Sequence, residues 1–211
     1  IKKLLLRSVL LIGGGYISME FSTFFKELGT KVIVLEALNR IVSVCDGEIS
    51  KCLEKYCIDE GIDVKTGVKI LEILNLKENI QLIYEKAGKK SSITAEKLLV
   101  ATGRAPNTFS LNLESAGVEK TPQGAIKVND FLQTSNPDVY AIGDVNGRLL
   151  LAHAAKREAF IAIRNALEKT AETMDYDRVP WAVFTHPPIG GIGISEEVAK
   201  DKKINYGVLK A

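Results

Sequence analysis

The sequence predicts an α/β fold built on a parallel sheet, and three observations carry that expectation. Residues 9–12 form a short apolar run suited to a strand buried on both faces. Gly13, Gly14 and Gly15 follow at once and allow a tight turn where a side chain would clash. A helical pattern then leads to a second β-rich run, Lys31–Leu35, closed by Glu36. In that helix Ile17, Phe21, Phe24, Phe25 and Leu28 stand at offsets 0, 4, 7, 8 and 11, which is one apolar stripe. Gly29 ends it.

Strand, glycine turn, helix, strand and acid, in this order, make the dinucleotide-binding fingerprint of a Rossmann-like domain. Gly13 makes the turn, and Gly15 lets a pyrophosphate approach the backbone. The helix N-terminus offers unpaired N–H groups and a partial positive charge to the phosphates. Ser18 replaces the third glycine and is small enough to let helix and strand pack closely. Glu36 lies 18 residues beyond Ser18, near the spacing at which an acid accepts the adenine-ribose hydroxyls. The competing interpretation is a glycine turn that merely joins a strand to a helix. Glu36 also bears on the choice of cofactor. It would repel an NADP 2′-phosphate about 4 Å away by around 4 kcal/mol at an effective dielectric of 20, so the expected ligand is NAD(H).

Composition narrows the field. With 211 residues, 46% of them hydrophobic, and a net charge of +2, the chain has ample core and no charge bias towards nucleic acid or a membrane surface. No apolar run approaches the 18 or so residues of a membrane span. The opening IKKLLLR lacks the layout of a secretion leader, and the absence of an initial methionine suggests that Ile1 is not the native start. Three closely spaced cysteines, Cys45, Cys52 and Cys57, do not suggest a disulfide framework. They point to a reducing cytoplasm.

Further along, Asp46 can cap a helix running to about Glu60, with Ile49, Leu53 and Tyr56 as its inner stripe. Residues 63–66 read as a third strand. Residues 70–75, 80–85 and 92–95 read as an inserted antiparallel β-meander, and 97–101 as another buried strand. Pro106 and Asn107 mark a crossover, which sets domains at 1–108, 109–174 and 175–211. The middle segment is expected to contain a strand around 126–128, a buried strand 139–144 ending in Gly-Asp, and a helix over about 153–169 with Ala155, Ala159, Ile163 and Leu167 on one face. The last segment shows β-structure from Trp181, a break at His186-Pro187-Pro188, a tight strand through the glycines at 190, 191 and 193, a short helix capped by Ser195, and an incoming strand at 206–209.

GGGYISME with Glu36, ATGRAPNT, TSNPDVYAIGDVNG with LAHAA, and VFTHPPIGGIGISEEVA together resemble the FAD-dependent pyridine nucleotide–disulfide oxidoreductases. The likeness spans essentially the whole chain in the right order. Glu36 and LAHAA are nearest the dihydrolipoyl dehydrogenase branch. THPPIG is nearer the glutathione reductase branch, whose members usually carry basic residues for NADPH where this chain has Glu36. The resemblance implies an NAD domain, a returning segment of an FAD domain, and the start of an α+β dimerisation domain. It implies that Gly13, Gly15, Tyr16, Ile17 and Glu20 line the NAD site and that Glu36 takes the ribose. Val68 would lie near the adenine end and Gly103 beside the cofactor. Asp144 would bond the ribityl chain of FAD, and Leu150, Leu151, Ala152 and His153 would approach the flavin. Electrons would pass between NAD, FAD and a small-molecule or lipoyl-protein disulfide, in a homodimer.

The family's redox Cys-x4-Cys pair and its C-terminal His-Glu pair are assigned to no stretch of this sequence, so the chain reads as an internal fragment with no catalytic side chain and no metal site of its own. Cys52 and Cys57 have the redox spacing, but on a helix their sulfurs would lie some 140° apart around the axis. A bridge there requires unwinding. His153 and His186 read as packing or backbone-contact residues. The returning segment is expected to expose apolar surface and to be less ordered than residues 1–105.

Overall fold

The computed structural model describes residues 6–210. Most of the opening IKKLLLR, read above as no secretion leader, lies outside them. The first half builds the expected parallel sheet from β1 (Ser8–Ile12), β2 (Lys31–Leu35), β3 (Asp63–Lys65) and β7 (Lys97–Val100), in the order β3-β2-β1-β7. Registers such as Val9↔Val32 and Leu11↔Leu99 place β1 at the centre of the layer. Residues 9–12 and 32–35 are all buried, as their unbroken apolar runs require. Each fully buried aliphatic side chain among them contributes about 1.5–3 kcal/mol.

The inserted meander is a second, antiparallel sheet of β4 (Val68–Asn75), β5 (Ile80–Lys86) and β6 (Lys89–Ala95). Leu10, Ile12, Ile33 and Leu35 on one face of the parallel sheet pack against Val68, Leu82, Tyr84 and Ala95 of the meander. Helices α1 (Tyr16–Glu27) and α2 (Gly47–Asp59) pack against the parallel strands.

The helices correct the sequence reading. In α1 the buried residues are Ser18, Met19 and Ser22, while Phe24 is 54% exposed and Phe21 and Leu28 also face outward. The phenylalanines cluster with one another, Phe21 stacking on Phe25 at 6.0 Å. A helix laid closely on a sheet needs small residues at the contact, and here two serines meet that need. In α2 the inner residues are Ser50, Leu53 and Cys57, and Ile49 is exposed. Asp46 precedes α2 without capping it, because its Oδ1 accepts the Glu196 N–H at 2.7 Å instead.

The chain forms two compact units, one of residues 1–103 with 182–211 and the other of residues 104–181. The second unit is built around α3 (Ala152–Glu168) and a short 3-10 turn, Gly143–Asn146. It has two small cores, one of Leu113, Val118, Ile126 and Ala141, the other of Leu132, Ile161 and Ala162. Again the stripe is turned: α3 buries Ala154, Glu158, Ile161, Ala162 and Asn165, while Ile163 and Leu167 are exposed, the latter at 79%. The segments expected as strands at 126–128 and 139–144 make only isolated bridges, Lys120↔Ile126 and Gln133↔Tyr140. The expected strand at 206–209 is not a strand. At the C-terminal end, β8 (Trp181–Val183) pairs with β9 (Ile189–Gly191), and α4 (Glu196–Asp201) is capped by Ser195 Oγ.

Candidate functional site

The glycine turn sits at the carboxyl end of β1, where the strand order changes direction between β2 and β7, the place at which open parallel sheets hold ligands. Gly13 has φ +100, and a Cβ on it would meet the Ala101 carbonyl oxygen at 2.5 Å, so the turns after β1 and β7 touch through bare backbone. A Cβ on Gly15 would meet nothing within 4 Å. The hollow above the turn is therefore open. Helix α1 has no side-chain cap, which leaves first-turn N–H groups from Tyr16 and Ile17 facing that hollow. Ser18 Oγ, buried between helix and sheet, is the one buried side-chain polar atom without a hydrogen bond among the described residues.

Glu36 closes the hollow on the β2 side. Its half-buried carboxylate takes the Gly14 N–H on one oxygen and the Leu38 N–H at 2.6 Å on the other. A carboxylate has about four acceptor positions, so acceptor capacity remains for a sugar diol. Val68 lies beside it and donates its N–H to the Glu36 carbonyl at 3.0 Å. The Val68 side chain belongs to the core between the sheets, so only its backbone can face a ligand. Gly103 follows β7, exposed, with φ +140. Glu20 Oε1 accepts the Phe184 N–H at 3.0 Å and ties α1 to the segment after β8.

The other predicted residues lie in the second unit. Asp144 is exposed within the 3-10 turn and pairs with Arg104 at 2.9 Å. An exposed pair of this kind adds little to stability, about 0–1 kcal/mol. Leu150 and Leu151 are half-buried and lead into the uncapped N-terminus of α3, where Ala152 and His153 are exposed. His153 donates from Nε2 to the Pro180 carbonyl at 2.7 Å. His186 stands edge-on to Tyr56, ring centroids 6.5 Å apart. Cys52 and Cys57 are both free thiols, and burial pushes the Cys57 thiol up to about 11, far from a reactive thiolate.

Two residues of the second unit escaped the sequence reading. Arg104 was present in ATGRAPNT but carried no pattern of its own. Glu158 sits on the buried face of α3, where apolar periodicity gives no reason to look for an acid.

The family profile described as pyridine nucleotide-disulphide oxidoreductase matches residues 1–159. The chain belongs to this family. Among pyridine nucleotide-disulphide oxidoreductases, a dihydrolipoyl dehydrogenase of Thermus scotoductus is 38% identical over 206 residues, covering 97% of this chain and 44% of that protein. A mercuric reductase of Staphylococcus aureus is 37% identical over 191 residues, covering 90% of this chain and 35% of that protein. The Cu(II) complex of the HOCl-induced flavoprotein disulfide reductase RclA from Escherichia coli superposes with a TM-score of 0.84 at 29% identity, covering 94% of this chain and 44% of that one. The chain thus spans less than half the length of these relatives. The family is one of flavoprotein oxidoreductases that use a pyridine nucleotide. The open hollow, the uncapped helix and the half-buried acid fit a dinucleotide diphosphate and its ribose. The exposed Asp144 carboxylate and the uncapped start of α3 fit a polyhydroxyl chain beside a flavin.

Proposed function

We propose that this chain is the NAD(H)-binding and flavin-contacting portion of a dihydrolipoyl dehydrogenase-like flavoenzyme. The observation that carries this reading is Glu36, seated on the Gly14 amide at the end of β2 with acceptor capacity to spare. The first-turn N–H groups of α1 hold the diphosphate, and Gly15 leaves room for it. Glu36 accepts the two adenine-ribose hydroxyls, each a charge-assisted bond of about 1.5–3 kcal/mol, and rejects a 2′-phosphate by like charge. Gly103 offers bare backbone beside the nicotinamide end, and Tyr16 and Ile17 border the same hollow.

FAD, when bound, supplies the redox chemistry that links the nicotinamide to a dithiol or disulfide. Asp144 accepts a ribityl hydroxyl. Leu150, Leu151, Ala152 and His153 place backbone and apolar surface at the flavin edge, where His153 is held by its bond to the Pro180 carbonyl. The disulfide partner is a small molecule or a lipoyl protein, the assembly is a homodimer, and the setting is the cytoplasm. No described helix is long and apolar enough to cross a membrane.

A second branch has comparable support: the S. aureus mercuric reductase is 37% identical, against 38% for the dehydrogenase. By itself the 211-residue chain is a nucleotide-binding module that binds NADH weakly and holds no FAD. Fluorescence titration with NADH and NADPH tests the assignment. NADH should bind more tightly, and equal affinities would refute the role given to Glu36. Intact mass with a visible spectrum tests the flavin statement, since a yellow chain of this mass contradicts it.

A further inference from the structure

Glu158 is fully buried and is the one buried carboxylate among the described residues. Three neutral donors converge on it: the Gly143 N–H at 2.5 Å, Asn146 Nδ2 at 3.0 Å and the Tyr176 hydroxyl at 2.6 Å. An ionised carboxylate only accepts, and so it suits three converging donors. Two of these donors belong to the turn that carries Asp144. Gly143 directly precedes Asp144, has φ +71, and lies so close to α3 that a Cβ on it would meet Ala155 Cβ at 3.1 Å. Asn146 closes the turn from the other side, donating also to the Ala141 carbonyl at 3.3 Å and accepting the Arg148 N–H at 2.9 Å. The turn is therefore anchored from inside on both flanks of Asp144, whose own side chain is left outside, beside Arg104.

We propose that Glu158 is the positioning residue of the flavin contact: by holding the Gly143 amide and Asn146 it fixes the turn that aims the Asp144 carboxylate at a ribityl hydroxyl. The inference rests on the reading of Asp144 as a flavin ligand. It goes beyond that reading in assigning the geometry of the contact to a side chain on α3 that touches no ligand. Tyr176 gives a control. It bonds the same carboxylate but lies outside the turn, so its loss should loosen the network without releasing Gly143.

The test uses the FAD-bound enzyme that carries this chain, stripped of flavin and titrated back by the quenching of FAD fluorescence. Asp144→Ala and Glu158→Ala should each raise the Kd for FAD about tenfold or more. The double variant should be little worse than either single one, because both remove one interaction. Glu158→Gln should recover most of the affinity, since its amide oxygen can take the place of Oε2, which accepts the Gly143 N–H and Asn146 Nδ2, and its amide nitrogen can donate to the Tyr176 hydroxyl oxygen. Tyr176→Phe should lower Tm while leaving the Kd for FAD within about twofold. The proposal is overturned if Glu158→Ala shifts the Kd no more than Tyr176→Phe does, or if its effect multiplies with that of Asp144→Ala. An unchanged Kd in Asp144→Ala alone removes the flavin reading of Asp144, and this inference with it.

Discussion

Two turns in this molecule are each held by a carboxylate on a glycine amide, and they differ in what the carboxylate has left to give. Glu36 holds Gly14 from a half-buried position and takes one further amide, that of Leu38. Glu158 holds Gly143 from full burial, with Asn146 and Tyr176 taking two more of its acceptor positions. The first acid keeps acceptor capacity facing the hollow and can bind. The second has its donors inside the protein and can only shape. Exposure and spare lone pairs, rather than residue type, separate a ligand holder from a scaffold element.

The sharpest way to break this contrast is to remove each acid and read both stability and binding. Glu158→Ala leaves two buried donors and the half-buried Tyr176 hydroxyl without their acceptor and should lower unfolding stability by about 3 kcal/mol, each unmet group costing about 1–3 kcal/mol less whatever water recovers. Denaturant melts check this, and the Kd for NADH should stay unchanged. Glu36→Ala should do the reverse, weakening NADH binding about tenfold or more while costing less stability than Glu158→Ala, because water can reach the exposed Leu38 amide and the part-buried Gly14 amide that Glu36 leaves behind. Should the two variants show the same profile, the contrast is lost.

A pH series sharpens it further. Burial, with the bond to Glu158, pushes the Tyr176 phenol up to about 12 from its ordinary 10.0. The folded value is the higher one, so this contribution is intact below pH 10. It is lost between pH 10 and about 12, as the unfolded chain releases a proton that the folded chain retains. Tyr176→Phe should flatten that part of the alkaline stability curve, measured by urea melts, and Glu36→Gln should leave it alone. The smallest effect is expected of Arg104→Ala, which breaks an exposed pair and should change Tm by an amount equivalent to less than about 1 kcal/mol.

The sequence made the strands of the first unit legible in order, because continuous apolar runs and glycine turns are local signals. It also located the glycine turn and its acid, since both lie within one βαβ unit. It misread the inner faces of three helices for a shared reason. Periodicity finds an apolar stripe but does not say which neighbour covers it. On α1 the sheet is met by Ser18 and Ser22, and the phenylalanines point away. On α3 the inner face includes Glu158, bonded to Tyr176, and Asn165, bonded to the Phe131 carbonyl, polar residues with partners well outside the helix. The stretch 139–144 reads as a strand by composition, yet it settles into a bridge and a 3-10 turn because its backbone partners are loops and side chains. A strand is a property of a pair, and one half of a pair cannot announce the other.

The grip on Gly14 has a kinetic side as well. With its carboxylate already tethered to the backbone it must work beside, Glu36 has few rotamers to give up when a nucleotide arrives. Association should then run at the speed of encounter, and differences among nucleotides should appear in how long each one stays.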